Sequence, residues 1–260
     1  MIWSDFHFYS ETLDIQTAAY VLLPEQMHAG PVDERPLPTL YLLHGLSDDH
    51  TMWLRNTRIA QTARRYRLAV VMPAVNRSFY SDMVHGARYW TFLSEELPRV
   101  METFFPLSRA REGRFAAGLS MGGYGAVRLG LTLPDRYAAV AGFSAPLRLE
   151  EAVCEPHNDA MHYRELMNIF GTPEGLIEGD GNLGRLAAAL DPARAPKMML
   201  TCGTEDFLYQ ANESFVAEFG EKFSIRYLRQ PGAGHTWDYW DQALVEALAW
   251  LPLERLENVW

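Results

Sequence analysis

Three residues far apart in this chain, Ser120, Asp206 and His235, have the types and the order along the sequence that nucleophilic catalysis requires. Ser120 lies in Gly118-Leu119-Ser120-Met121-Gly122-Gly123-Tyr124-Gly125. This is a G-x-S-x-G pattern with the apolar run Phe115-Ala116-Ala117 before it and a helical pattern, through Tyr124 to Leu133, after it. A serine on a sharp strand-to-helix turn exposes its hydroxyl, and glycines two residues before and after keep a Cβ from colliding with the neighbouring strand and helix. A serine hydroxyl is a poor nucleophile at neutral pH, so the pattern carries chemistry only if a base stands beside it.

With such an elbow, the acid follows the nucleophile in the chain and the base follows the acid. The apolar run Met198-Met199-Leu200-Thr201-Cys202 ends in Gly203-Thr204-Glu205-Asp206. Two carboxylates compete there; Asp206 is the choice and Glu205 the alternative. His235 sits in the Gly-rich segment Gln230-Pro231-Gly232-Ala233-Gly234-His235-Thr236-Trp237, a loop from which an imidazole can reach across the top of a sheet. His44 is the rival base, because it too ends a strand, but it precedes the serine. Attack by Ser120 would create an oxyanion. The Met121 N–H, at the start of a helix, is one expected donor, and the Leu46 N–H, in the turn His44-Gly45-Leu46, is the other. Trp237, Tyr80 and Trp53 are the expected substrate-binding aromatics. The histidines lack metal-ligand spacing and no phosphate-loop lysine follows the glycines, so neither a metal nor any other cofactor is expected.

The elements that must position these residues follow a clear rhythm. Two strands joined near Leu13 open the chain, and residues 24–38 read as a loop. Short apolar runs at 40–43, 68–72, 115–117, 137–143, 198–202 and 224–228 then alternate with helical patterns at about 52–65, 91–104, 124–133, 210–222 and 236–251. That order predicts an α/β fold: a mostly parallel central sheet of about eight strands, helices on both faces and an antiparallel edge. The whole of 1–260 reads as a single domain. Residues 146–196 break the rhythm with acidic clusters, Gly-rich turns and two helical pieces, near 160–170 and 183–190, and are expected to form a small cap.

The chain is 48% hydrophobic and carries a formal net charge of −10. A full core is expected, while the acidic balance and the absence of a basic patch argue against a nucleic-acid partner. No apolar run approaches a membrane span, and the N-terminus lacks the pattern of a signal peptide, which together predict a cytoplasmic protein without a membrane partner. Two cysteines, Cys154 and Cys202, are too few for a disulfide scaffold, and Cys202 reads as a small core hydrophobe. A homo-oligomer is compatible with this composition.

The elbow, the acid segment Cys202-Gly203-Thr204-Glu205-Asp206-Phe207-Leu208-Tyr209 with Asn212, and the segment His235-Thr236-Trp237-Asp238-Tyr239-Trp240 resemble the esterase D-like group, and within it the bacterial tributyrin esterases. His44-Gly45-Leu46-Ser47, Trp53 and Glu96-Leu97-Pro98 extend the likeness along nearly the whole chain. The resemblance implies an α/β-hydrolase fold and a serine carboxylesterase acting on a small-molecule ester with a short acyl chain. It implies Ser120, Asp206 and His235 as the triad, favouring Asp206 over Glu205, with Leu46 and Met121 as oxyanion donors. The same superfamily includes S-formylglutathione hydrolases, feruloyl and acetylxylan esterases, and acyltransferases with the same triad. The formylglutathione enzymes usually carry a cysteine soon after the oxyanion-loop leucine, where this chain has Ser47-Asp48-Asp49.

Overall fold

A computed structural model describes residues 1–25, 34–153 and 160–256. Eight strands form one sheet: β1 (Ile2–Ser10), β2 (Ile15–Leu23), β3 (Thr39–Leu43), β4 (Ala69–Pro73), β5 (Arg114–Leu119), β6 (Ala139–Phe143), β7 (Lys197–Gly203) and β8 (Arg226–Gln230). Their order across the sheet is β1-β2-β4-β3-β5-β6-β7-β8. The first two strands pair antiparallel with each other, β2 is antiparallel to β4, and all other pairs are parallel. Every residue of β3, β4, β5 and β6 is buried. That explains their continuous apolar runs: a parallel strand covered on both faces has no polar side to alternate with.

The helices are α1 (Met52–Asn56), α2 (Ile59–Ala63), α3 (Tyr89–Thr91), α4 (Leu97–Phe104), α5 (Met121–Thr132), α6 (Ala160–Phe170), α7 (Pro173–Ile177), α8 (Leu183–Ala189), α9 (Tyr209–Phe223) and α10 (Trp237–Trp250). One face of the sheet is covered by a cluster that includes Trp53, Ile59, Tyr239, Trp240 and Leu244, from α1, α2 and α10. The other carries Leu97, Met101, Tyr124, Val127, Leu183 and Phe215, from α4, α5, α8 and α9. Among the described residues no helix is long and apolar enough to cross a membrane.

Three local departures from the sequence reading have physical causes. The stretch 52–65 is two short helices, because the Thr57 hydroxyl bonds to Trp53 O at 2.5 Å and Asp241 of α10 captures the Arg58 N–H at 2.8 Å. Side-chain bonds of this kind compete with the helix ladder. The stretch at 91–104 begins earlier, at Tyr89, and passes through a wide π-turn at Phe92–Glu96 just before Pro98, which has no N–H to give the ladder. The last strand starts at Arg226, because Ser224 takes a left-handed φ of 50° and ends α9.

The segment 146–196 divides. Its later part joins the helical layer: α8 packs on α5, the Tyr124 hydroxyl donates to Gly181 O at 2.6 Å, and Lys222 Nζ donates to Ala187 O and Ala188 O at 2.8 Å each. The segment also contains a 3₁₀ turn (Leu149–Val153) and α7, neither visible in its residue pattern. Cys154 lies outside the described residues; Cys202 is unpaired and fully buried, as a core hydrophobe would be.

Candidate active site

The elbow is built by close packing. Ser120 has φ 50° and ψ −121° between β5 and α5, a conformation that is strained for any residue with a Cβ. A Cβ at Gly118 would stand 2.5 Å from Gly122 O, and one at Gly122 would stand 2.2 Å from Leu43 O. The two glycines therefore let α5 start directly against β3 and β5, and the Ser120 N–H is fixed by Phe143 O of the next strand at 2.8 Å.

The sheet brings the other two segments to this point. His235 Nε2 stands 3.1 Å from Ser120 Oγ, and His235 Nδ1 stands 2.9 Å from Asp206 Oδ2. Asp206 is buried, whereas Glu205 is exposed, so burial and contact both select Asp206. The second Asp206 oxygen accepts the Leu208 N–H at 2.9 Å. Burial pushes the Asp206 carboxyl up, but hydrogen bonds from the His235 and Ser144 side chains and the Leu208 N–H outweigh it and hold the group below its ordinary value. The imidazole is flanked by Phe207, with ring centroids 4.6 Å apart, and by the edge of Trp240 at 4.8 Å.

His44 is not available as a base. It is buried, its Nε2 accepts the Val75 N–H at 3.1 Å, and its Nδ1 lies 2.7 Å from Gly45 O. Since Nε2 accepts, Nδ1 carries the proton and donates to Gly45 O. Burial lowers its pKa to about 4, so the ring is neutral at physiological pH and braces the turn that holds Leu46. In that turn the Gly45 N–H donates to Asp48 Oδ2 at 3.0 Å and the Asp48 N–H to Gly45 O at 3.2 Å. Met121 is the first residue of α5, where backbone N–H groups have no partner within the helix.

Two of the aromatics expected at the substrate are elsewhere. Trp53 is fully buried and donates its indole N–H to Leu43 O at 3.0 Å. Tyr80 is fully buried and donates its hydroxyl proton to His44 O at 2.9 Å. They brace the end of β3 from opposite faces of the sheet. An aromatic with a polar tip is as useful for satisfying a buried carbonyl as for lining a cleft, and residue type does not separate the two uses. Trp237 is half-buried, packed edge-on against Trp53 and Trp240 at 5.3 and 5.4 Å.

A cavity of about 670 Å³ opens beside Leu46. Its lining mixes polar and apolar groups: Ser47, Asp48, Asn76, Arg77, Tyr89, Glu165 and Asn168 join Leu46, Met83 and Ala87. Arg77 forms a two-pronged ion pair with Glu165 of α6 (Nη2 to Oε2, 2.7 Å) and reaches Leu46 O at 3.4 Å.

Residues 10–251 match the family described as "Putative esterase". The chain belongs to this family. It is 32% identical over 256 residues to an acetyl esterase of Caldicellulosiruptor saccharolyticus, covering 94% of this chain and 96% of the relative. Among solved structures it is similar to the fluorophosphonate-binding serine hydrolase F of Staphylococcus aureus, with TM-score 0.86, 32% identity and 96% and 98% of the two chains covered. An S-formylglutathione hydrolase of the same organism matches with TM-score 0.83 at 31% identity, covering 96% and 98%. The protein is a carboxylesterase of the α/β-hydrolase fold.

The esterase also carries neighbours of the site that sequence reasoning passed over. Arg77 and Glu165 are charges in segments without a motif. Phe207 follows Asp206 directly and is 77% exposed, an unusual exposure for a phenylalanine. Only its adjacency to the acid could have drawn attention to it.

Proposed function

We propose that the chain hydrolyses esters of short acyl groups through an acyl-enzyme on Ser120. His235 takes the Ser120 proton as the hydroxyl attacks the ester carbonyl. The N–H groups of Leu46 and Met121 hold the oxyanion, and Asp206 holds the imidazole in the tautomer that can accept. His235 then protonates the leaving alcohol, and water repeats the sequence on the acyl-enzyme. The observation that carries this reading is the unbroken line from Asp206 through His235 to Ser120, at 2.9 and 3.1 Å. The short acyl group is supported by the acetyl esterase relative. In this reading 146–196 is a cap within one hydrolase domain, supported by Glu165 and Asn168 of α6 in the cavity that also holds Leu46. A cytoplasmic site of action is supported by the buried, unpaired Cys202.

Ser120→Ala is expected to lower turnover of p-nitrophenyl acetate by about 10⁶ and to abolish labelling by a fluorophosphonate. Wild-type hydrolysis by that variant overturns the assignment. A series of p-nitrophenyl esters should lose kcat/KM as the acyl chain lengthens, and a rise with length overturns the short-chain reading.

The charged residues Asp48, Arg77 and Glu165 in the cavity lining favour one second reading, a thioesterase acting on S-formylglutathione, whose leaving group is a charged peptide thiol. Two relatives carrying that name support it. A kcat/KM for S-formylglutathione well above that for p-nitrophenyl acetate would select it.

A further inference from the structure

Two successive peptide units lead to Leu46, and the partners of their polar groups fix the direction of its N–H. In the His44–Gly45 unit, the carbonyl oxygen accepts the Tyr80 hydroxyl proton at 2.9 Å and the N–H donates to Asp48 Oδ2 at 3.0 Å. In the Gly45–Leu46 unit, the carbonyl oxygen accepts the His44 Nδ1–H at 2.7 Å and the Asp48 N–H at 3.2 Å. The Leu46 N–H alone has no partner among the described residues. A trans peptide unit is planar, so its N–H points opposite to its C=O. Holding the Gly45 oxygen therefore aims the Leu46 N–H, and holding the preceding unit at both ends keeps the two units from turning together. An unpaired backbone N–H fixed in this way is what a developing oxyanion needs.

The same grip is tied to the elbow. A Cβ at Gly122 would stand 2.7 Å from His44 O, so this peptide lies on the first turn of α5, beside Met121, the other proposed donor. Tyr80 is fully buried with φ 52°, after Phe79 at 46°, a region that such side chains enter only where their surroundings enforce it. Helix α5 supplies the enforcement. Its buried Arg128 donates to Tyr80 O at 3.1 Å and to Ser81 Oγ at 2.7 Å. Its Gly125 leaves room for the tyrosine ring, since a Cβ there would stand 2.7 Å from Tyr80 Cγ. We propose that Tyr80 and Asp48 are positioning residues for the oxyanion hole, holding the two ends of the His44–Gly45 peptide so that the Leu46 N–H meets the oxyanion. The inference rests on the proposed acyl-enzyme reading, with Leu46 as a donor.

The test compares Tyr80→Phe, Asp48→Ala and Asp48→Asn with the wild type in two measurements. One is steady-state hydrolysis of p-nitrophenyl acetate. The other is inhibition by an alkyl trifluoromethyl ketone, whose hemiketal with a serine carries the oxyanion and does not turn over. Thermal unfolding confirms that each value is read on folded protein. Tyr80→Phe and Asp48→Ala should each lower kcat about tenfold with KM held within about twofold, and should weaken ketone inhibition by the factor lost in kcat/KM. Asp48→Asn, whose amide oxygen can still accept the Gly45 N–H, should recover most of the loss. Tyr80→Phe and Asp48→Ala together should cost less than the product of the single losses, because both free the same peptide, and a full product overturns that link. Wild-type kcat in either single variant overturns the role of that residue. A lowered kcat with unchanged ketone inhibition overturns the proposal, because the oxyanion would then be held as before. Asp48→Asn as impaired as Asp48→Ala also overturns it, by assigning the effect to charge. A wild-type enzyme that neither hydrolyses the ester nor binds the ketone would instead refute the acyl-enzyme reading itself, so the two failures are distinguishable.

Discussion

The elbow at 118–122 and helix α6 both stand near the His44–Leu46 turn but are held by different forces. The elbow is backbone against backbone, with no room for one added carbon at Gly118 or Gly122. Helix α6 sets only Leu166 and Ile169 into the core, and is otherwise attached through the Arg77–Glu165 ion pair and two backbone bonds at 2.9 Å, Val84 N–H to Ile169 O and His85 N–H to Asn168 O. Several of its side chains, Met161 among them, face solvent. Close-packed backbone cannot drift without unfolding, whereas a half-exposed ion pair can be rebuilt at little cost. The part that carries Ser120 is therefore rigid, and the part that borders the cavity beside Leu46 is open to change.

Substitutions can break this contrast. The largest effect is expected at Gly122→Ala, whose Cβ would meet the Leu43 carbonyl. It should destabilise the fold by about 3–5 kcal/mol in urea denaturation. A loss under about 1 kcal/mol would mean that the elbow yields as readily as α6.

Next comes pH. The folded-state pKa of His44 is lowered to about 4 from 6.5. Between those values the unfolded chain binds the extra proton and the folded chain does not. The stabilisation is thus complete above about pH 6.5 and is lost as pH falls towards 4, by about 3 kcal/mol in all. Denaturation midpoints across that window should fall with pH, and His44→Gln should flatten the dependence. Asp206 acts lower still. Its carboxyl is held below its ordinary value, so its contribution is present above that value and disappears as pH drops through the depressed one.

The smallest effect on stability is expected for Glu165→Gln. Arg77 is 46% exposed on its side chain, and the pair should contribute under about 1 kcal/mol. The same variant should change KM for esters with large polar leaving groups while leaving p-nitrophenyl acetate within about twofold. If acetate hydrolysis falls as far as that of the large esters, Glu165 serves the chemistry and the contrast with the elbow fails.

Much of the site is legible in the residues because its chemistry demands rare local combinations. Gly118, Ser120 and Gly122 are readable from the packing of a strand-to-helix turn, and His235 from its place in a Gly-rich loop. The central strands β3, β4, β5 and β6 are readable from apolar runs buried on both faces. What escaped was decided at a distance. Trp53 and Tyr80 have the composition of cleft residues but serve as braces for β3, because Leu43 O and His44 O are buried carbonyls in need of donors. The split between α1 and α2 depends on Asp241, a residue from the far end of the chain.

Local chemistry in the chain specifies which residues can attack, accept a proton and turn sharply, since those properties belong to single side chains and to neighbours a few positions apart. Folding alone buried Asp206 against His235 while leaving Glu205 exposed, and made His44 a neutral brace for its turn. The reason is that burial and hydrogen-bond partners, which fix charge state and direction, come from segments separated by scores of residues and meet only when the sheet is assembled.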